Sequence, residues 1–212
     1  MLLGGTALFT LSQLLTGPAW AQDAEITDGS ETIVLDTIYV SGENLARRLQ
    51  DTASSVAVIT SEDLEARPEA YDVQRAVQDV HNVYYPGTVG TATIISGQDT
   101  QGPATGGSAF YSGTVPRATI NVDGRYQSYY ETVFGATSIW DVDNVEVFRG
   151  PQTTSQGANS IAGAIIVNTK DPTFTPEGAF RAEYGSYNTG RVSGMLSGPL
   201  FDQVAGRATF DY

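Results

Sequence analysis

The stretch NVEVFRGPQTTSQGANSIAGAIIVNTKDP, at residues 144–172, decides the fold of this chain. Its two ends, residues 145–148 and 164–169, are dense in Val and Ile, which favour β-strands. The connection between them is marked by glycine and proline, at Gly150, Pro151, Gly157 and Gly163. Glycine suits turns with positive φ and places where a second backbone passes close by, and proline fixes the chain after a turn. The stretch therefore predicts two strands joined by a glycine-marked connection.

The sequence before this stretch alternates between strand and helix patterns. Residues 55–60 (SVAVIT) predict a short strand, and Ser61 is placed as the N-cap of the helix that follows. In residues 72–80 (DVQRAVQDV), apolar residues recur at spacings of three and four, which predicts an amphipathic helix. Residues 118–122 (ATINV) predict a strand that runs into a tight turn at residues 123–124. This alternation implies a small α+β domain with a mixed sheet.

After Pro176 the pattern changes to alternation between apolar and polar residues. In residues 204–212, one parity is apolar and the other carries charged and hydroxyl side chains, and residues 191–197 repeat this arrangement. Strands that are apolar outside and polar inside are what a transmembrane β-barrel requires, although a soluble sheet with one wet face has the same pattern. About three such strands cannot close a barrel, so we expect a truncated barrel in a piece of a longer protein.

The first residues favour export. Residues 2–15 are mostly apolar, and a run of ~14 residues is too short to cross a bilayer as a helix. Residues 19–21 (AWA) have the small-x-small form of a signal-peptidase site. The opening lacks the Lys or Arg typical of a signal peptide, and a buried N-terminal helix is the alternative, which its glycines disfavour. We predict a signal peptide at residues 1–21.

Composition excludes several classes of function. A formal net charge of −13, with only 11 Lys and Arg, argues against binding to nucleic acid. The chain has no Cys and one His, which excludes thiolate nucleophiles, disulfides and Cys/His zinc sites. It also lacks the P-loop, the nucleophile-elbow motif and the calcium-loop motif. We predict no enzyme activity, no catalytic residue, no metal site and no cofactor.

Residues 144–172 resemble the most diagnostic stretch of the plug domain of TonB-dependent outer-membrane receptors. Residues 54–68, 73–83 and 120–124 are similar to other plug features in the same order, and the resemblance covers about residues 45–172. It implies an α+β plug domain with a small mixed sheet, followed by the first antiparallel strands of a truncated transmembrane β-barrel in the cell outer membrane. The expected organisation is a signal peptide at residues 1–21, a flexible segment at 22–44, the plug at 45–172 and the first barrel strands at 173–212.

Within the plug motif, the resemblance implies structural roles for Arg149, Gly150, Pro151, Gly157 and Gly163. In this family the arginine position is buried between plug and barrel. A planar guanidinium there suits a carboxylate in the plug or on the barrel wall. A solvated surface arginine is the alternative.

Energy coupling in this family uses a short extended segment, the TonB box, which adds as a strand to the C-terminal domain of TonB. The resemblance assigns this role to Asp36, Thr37, Ile38, Tyr39 and Val40, which are β-prone and flanked by polar sequence. Residues 31–35 offer a second register, and an ordinary edge strand of the plug is the alternative. We expect the sequence before residue 45 to be poorly ordered, since it must stay free to meet TonB with its inner-membrane energising complex.

Aromatic residues in the loop-rich regions are candidates for ligand binding. They are Tyr111, Tyr126, Tyr129 and Tyr130, which lie in glycine-, serine- or turn-rich sequence where a large ring has little core to fill. Packing against the barrel wall is the alternative. The resemblance implies active uptake of a scarce nutrient complex, with a ferric siderophore as the commonest substrate class. Haem, cobalamin and oligosaccharides are the other classes, and a soluble periplasmic interaction module without transport is the competing hypothesis.

Overall fold

The computed structural model describes residues 38–42, 47–67, 69–87, 91–98, 108, 111–113, 117–157 and 159–212. The strands in these ranges are β1 (Tyr39–Val40), β2 (Arg47–Arg48), β3 (Val56–Thr60), β4 (Val83–Tyr84), β5 (Ile94–Ile95), β6 (Ala118–Val122), β7 (Arg125–Tyr126), β8 (Val142–Arg149), β9 (Gly163–Thr169), β10 (Glu177–Gly185), β11 (Thr189–Phe201) and β12 (Val204–Asp211). The α-helices are α1 (Ser61–Glu65), α2 (Val73–Ala76) and α3 (Tyr129–Phe134). Three 3-10 turns lie at Leu49–Asp51, Val77–Asp79 and Ser186–Asn188.

A five-stranded mixed sheet in the order β3-β8-β9-β6-β7 organises the plug. Its one parallel pairing is between β6 and β9, and the other three are antiparallel. β8 and β9 contain the two strands predicted from residues 144–172, and β6 matches the strand predicted at residues 118–122. The expected α+β plug with a mixed sheet is therefore confirmed.

The two faces of this sheet have different covers. Odd-numbered residues of β8 and β9 face the larger core, where they pack with the buried side chains of α1 and α2, including Leu64, Val73 and Val77. Each fully buried Val, Leu or Ile contributes roughly 1.5–3 kcal/mol relative to an exposed one. Even-numbered residues point to the opposite face. There Phe148, Ala164 and Ile166 form a second, smaller cluster with Val40.

Helix starts follow the sequence closely, with one correction. The N-cap of α1 is Thr60 and not the predicted Ser61, because the Thr60 hydroxyl accepts from the Asp63 backbone and the Asp63 carboxylate accepts from the Thr60 backbone. The Thr60 hydroxyl and the Thr60 backbone N–H both donate to the Asp63 carboxylate, which lowers the pKa of this carboxyl. The helix predicted at residues 72–80 is α2 followed by a 3-10 turn, with Asp72 as its N-cap.

The last three strands form a separate antiparallel sheet in the order β10-β11-β12. Its predicted alternation is confirmed. Apolar side chains such as Phe180, Leu196 and Phe210 are exposed on one face. Polar side chains such as Ser193 and Ser197 are buried on the other, which lies against the plug.

Candidate functional site

An N-terminal segment, residues 38–42, packs against the plug sheet. β1 pairs antiparallel with β2, and the Leu49 backbone N–H donates to the Ile38 carbonyl at 2.9 Å. The Val40 side chain is 1% exposed, whereas Ile38 and Tyr39 are exposed. The expectation of poor order before residue 45 is therefore wrong for these five residues, because Val40 completes an apolar cluster. Asp36, Thr37 and the second register at residues 31–35 lie outside the described residues.

The carboxylate of Glu146, in the middle of β8, holds the end of this N-terminal segment. Its Oε1 accepts from the backbone N–H of Ser41 at 2.8 Å and from the Ser41 hydroxyl at 2.9 Å. Its Oε2 accepts from the backbone N–H of Gly42 at 2.9 Å. Asn168 on β9 adds a donor at 3.2 Å. Glu146 is 0% exposed, and these donors compensate for the loss of water around a buried carboxylate.

Because Gly42 has no side chain, the backbone at this residue can lie close to the side chains of the sheet. A Cβ built there would lie 2.1 Å from Cδ1 of Ile166 and 2.5 Å from Cε2 of Phe148. The Gly42 carbonyl in turn accepts from the Gln156 side chain, whose own carbonyl accepts from Asn121. Residues 41–42 are thus held by hydrogen bonds on the sheet face that β8, β9 and β6 share.

The glycines of the plug motif occupy the positions that the sequence predicts. Gly150 and Gly157 have φ of 133° and 76°, which side chains disfavour. A Cβ on Gly163 would lie 2.3 Å from the Phe148 carbonyl, so this glycine permits close approach of β8 and β9. Pro151 follows the Gly150 turn.

Within the plug, Arg149 meets a backbone carbonyl. Its guanidinium Nη1 donates to the backbone carbonyl of His81 at 3.2 Å, and its Nε is buried without a hydrogen bond among the described residues. No ion pair to Arg149 occurs within the described part of the chain. The guanidinium therefore ties the end of β8 to the chain after α2.

A buried ion pair joins the plug to the three-stranded sheet. Arg207 on β12 donates through Nε to Asp141 Oδ2 at 2.6 Å, and its Nη2 contacts Asp141 Oδ1. The two side chains are 8% and 6% exposed. Asp141 and Arg207 are 66 residues apart in the chain and lie on different elements, so no local sequence pattern points to this pair.

A second polar contact lies beside it. Arg191 on β11 pairs with Asp211 on β12 through its Nε at 2.8 Å, and its Nη2 donates to the Tyr71 carbonyl of the plug at 3.1 Å. Asp211 also accepts from the hydroxyl of Ser138 in the plug. Together with the Asp141–Arg207 pair, this contact fixes the plug to the polar face of the strands.

The four candidate tyrosines lie in different environments. Tyr129 is 7% exposed and packs with Ala92 and Val133, so the expectation that its ring lacks a core is wrong. Tyr126 is on β7 and lines a cavity with Ser41 and Gly42. Tyr111, at 87% exposed, and Tyr130, stacked on Phe134 at 5.1 Å between ring centroids, keep large exposed surfaces.

Among the described residues, no group of three His, Cys, Asp or Glu side chains is placed to hold a metal ion. In the same part of the chain, none of the helices is long and apolar enough to span a bilayer. Sequence reasoning missed Glu146 as a functional candidate. A Glu between Val145 and Val147 in a buried strand was the available sign, since its neighbours face one core and its own side chain must face another.

Comparison with known proteins agrees with this geometry. The model of the TonB-dependent Receptor Plug Domain matches residues 48–164, more than half of the chain. The iron-regulated outer membrane virulence protein of Vibrio cholerae is 30% identical over 222 residues, which cover 94% of this chain and 30% of that protein. The ferric enterobactin receptor PirA of Pseudomonas aeruginosa is 29% identical over 232 residues, covering 97% and 30%.

Solved structures share the fold. The ferric yersiniabactin uptake receptor FyuA from Yersinia pestis superimposes with a TM-score of 0.58 at 23% identity, over 74% of this chain and 24% of that one. The alcaligin outer-membrane receptor FauA from Bordetella pertussis gives 0.64 at 17% identity, over 82% and 29%. The chain spans about 30% of the length of the curated relatives named above. The chain therefore belongs to the TonB-dependent receptor plug-domain family and is a protein of the cell outer membrane.

Proposed function

We propose that the receptor containing this chain takes up an iron complex, a ferric siderophore, by TonB-energised transport across the outer membrane. The observation that carries the proposal is the contact between the plug and the strands β10–β12. The polar face of these strands holds the plug through the Asp141–Arg207 pair, and their apolar face is exposed. A strand sheet of this kind suits a wall between outer-membrane lipid and an enclosed plug. Two relatives favour an iron complex as substrate, because one is an iron-regulated outer membrane protein and the other is a ferric enterobactin receptor.

In this proposal the plug gates the barrel, and Asp36, Thr37, Ile38, Tyr39 and Val40 couple it to TonB. The support is that residues 39–40 adopt a strand and that Ile38 and Tyr39 are exposed. Strand addition needs main-chain donors and acceptors, which a two-residue strand in a small hairpin can exchange for those of a partner strand. The signal peptide at residues 1–21, the coupling segment at 22–44 and the domain limits at 45–172 and 173–212 belong to the same proposal.

Recognition of the substrate is proposed for the exposed tyrosines, Tyr111 and Tyr130. A rigid ring with a polar tip binds at small entropic cost and makes both apolar and hydrogen-bonding contacts. Burial of Tyr129 argues against this role for that residue. Tyr126, which is 40% exposed and lines the cavity beside the N-terminal segment, stays a candidate for recognition.

Two alternatives make different demands on the molecule. A soluble periplasmic interaction module would leave the apolar face of β10–β12 in water, and contiguous apolar surface of this kind is rare on soluble monomers. Haem, cobalamin or an oligosaccharide as substrate fits the same plug and is distinguished by the experiment below.

The test is uptake by cells that carry or lack the gene for the full receptor. Iron-starved cells are given radiolabelled ferric siderophores of catecholate, hydroxamate and mixed types, and in parallel haem, cobalamin and an oligosaccharide. We expect loss of uptake of one siderophore class on deletion of this gene, and the same loss in cells without TonB. Loss of haem, cobalamin or oligosaccharide uptake alone would replace the proposed substrate, and uptake unaffected by removal of TonB would overturn the coupling.

A further inference from the structure

We propose that Glu146 is the release point of the N-terminal segment, and that departure of this segment uncovers one face of the plug sheet. Glu146 is a positioning residue in this proposal, because it holds residues 41–42 without touching substrate. The role of this release in transport rests on the proposed TonB coupling. The release itself, which is local detachment of residues 38–42, can be measured without TonB.

The first step is the way in which the segment is attached. Three hydrogen bonds at 2.8–2.9 Å join the Glu146 carboxylate to Ser41 and Gly42. The other attachments are the burial of Val40, the short β1–β2 pairing, a side-chain bond from Gln156 to the Gly42 carbonyl and one from Asn168 to the Ser41 hydroxyl at 3.2 Å. Hydrogen bonds to a carboxylate are roughly twice as strong as neutral ones, so Glu146 supplies the largest polar contribution to docking of residues 41–42.

The second step concerns the surface beneath the segment. Strand register places Asn144 and Glu146 of β8, Asn168 of β9, and Thr119 and Asn121 of β6 on the same face of the sheet. Ser41 and Gly42 line a cavity of about 310 Å³ on this face.

When the segment leaves, the Glu146 carboxylate loses three donors and is stabilised by water instead. Asn121 and Glu146, which are buried while the segment is docked, then become exposed together. The same face carries the apolar side chains of Phe148, Ala164 and Ile166, which lose the cover of Val40. The opposite face stays packed against the helices, so departure of the segment opens one face of the sheet only.

The experiment measures release directly. Val40→Cys is introduced into the full-length receptor in outer-membrane vesicles, and the rate of its reaction with a water-soluble maleimide is followed. Val40 is 1% exposed, so reaction requires release of the segment. The same cysteine is then combined with Glu146→Gln, which preserves shape but places an amide N–H against a backbone N–H. We expect labelling about tenfold faster in the Gln variant, the size expected for losing one charge-assisted hydrogen bond.

Asp143→Asn is the matched control, because it makes the same change of charge on the same strand at an exposed position. Its labelling rate should equal that of the parent. Gly42→Val is the second test, because a side chain there collides with Ile166 and Phe148 and should expel the segment while Glu146 is unchanged.

Val147→Cys, on the opposite and fully buried face of β8, separates release from unfolding. It should stay unreactive in the Glu146→Gln background. Labelling of Val147→Cys together with Val40→Cys would overturn the proposal, because the whole plug would then have opened. An unchanged rate at Val40→Cys with Glu146→Gln would overturn it as well. Neither outcome depends on uptake, so failure of the TonB proposal is seen separately in the transport assay.

Discussion

The plug is attached on two sides, and the two attachments differ in kind. The N-terminal segment is held by backbone N–H groups of residues 41–42 on Glu146 and by one apolar side chain. The strands β10–β12 are held by guanidinium groups, with Arg207 on Asp141 and Arg191 on the Tyr71 carbonyl. Backbone donors that leave a carboxylate can pair with a partner strand or with water. A buried charge that loses its counter-charge has no such replacement. The N-terminal segment can therefore exchange its hydrogen bonds for others and detach, whereas the strands β10–β12 are expected to stay bound to the plug.

The largest effect is expected from a change in the N-terminal segment. Ile38→Pro should reduce energised uptake to the level of cells without TonB while ligand binding to cells stays intact. Proline removes a ladder donor and fixes φ, which disrupts strand addition without touching the plug sheet. Uptake and binding of the labelled ligand are measured on the same cells, with Ile38→Val as the control for loss of size alone. Normal uptake by the proline variant would move the coupling strand elsewhere, with residues 31–35 the first place to look.

A change at the contact between the plug and β10–β12 should lower the free energy of unfolding rather than the rate of uptake. Arg207→Ala leaves the Asp141 carboxylate buried without its ion pair, and such a loss costs roughly 3–5 kcal/mol. Denaturant unfolding of the full receptor in detergent measures the free energy of unfolding. The control is Arg48→Ala, whose pair with Asp51 is exposed and contributes roughly 0–1 kcal/mol. Equal losses in the two variants would show that the plug-to-strand pair is no stronger than a surface pair.

Two tyrosines extend the comparison to ligand recognition. Tyr111→Ala should weaken ligand binding about tenfold, since loss of a recognition residue typically costs ~1–2 kcal/mol. Tyr129→Ala should instead lower the abundance of folded receptor, because it removes a buried ring beside Val133. Binding is measured on cells with surface abundance determined in parallel. Affinity within twofold of the parent for Tyr111→Ala would assign recognition to loops beyond this sequence.

The smallest effect is expected from Ser41→Ala. It removes an exposed hydroxyl, which donates to Glu146 at 2.9 Å and accepts from Asn168 at 3.2 Å, and it keeps both backbone donors. Because water can take the place of an exposed hydroxyl, docking should weaken by only about 0.5–1.5 kcal/mol. The maleimide reaction at Val40→Cys should then rise about threefold, less than with Glu146→Gln. A rise as large as that of the Gln variant would mean that the hydroxyl, and not the backbone donors, carries the attachment.

Local features of the fold were predictable, because their causes lie within a few residues. Density of Val and Ile located β8 and β9, and Asp123-Gly124 located the turn between β6 and β7, where both residues have positive φ. The N-cap of α1 was displaced by one residue, because Thr60 ends a strand and caps a helix at once. Alternation after Pro176 also predicted which face of β10–β12 is polar.

The functional contacts were not predictable, because their partners are far apart in the chain. Glu146 and Ser41 are separated by 105 residues, and Asp141 and Arg207 by 66. Neither carboxylate is unusual in its own neighbourhood, and only the register of the sheet brings each to its partner. For Val40, periodicity gave a β-prone residue but could not tell a free strand from one that fills a cluster with Phe148 and Ile166.

Strand β8 connects the two attachments. Asp141 directly precedes it and is fixed to β12, while Glu146 lies in its middle and holds residues 41–42. On both sides β8 is laddered to neighbours, β3 and β9. In mechanical terms, tension on the N-terminal segment reaches β8 through Glu146. β8 is fixed at its start by the Asp141–Arg207 pair and is hydrogen-bonded along its length to β3 and β9. Under the proposed coupling, the bonds that carry this load include those from residues 41–42 to Glu146, Gln156 and Asn168.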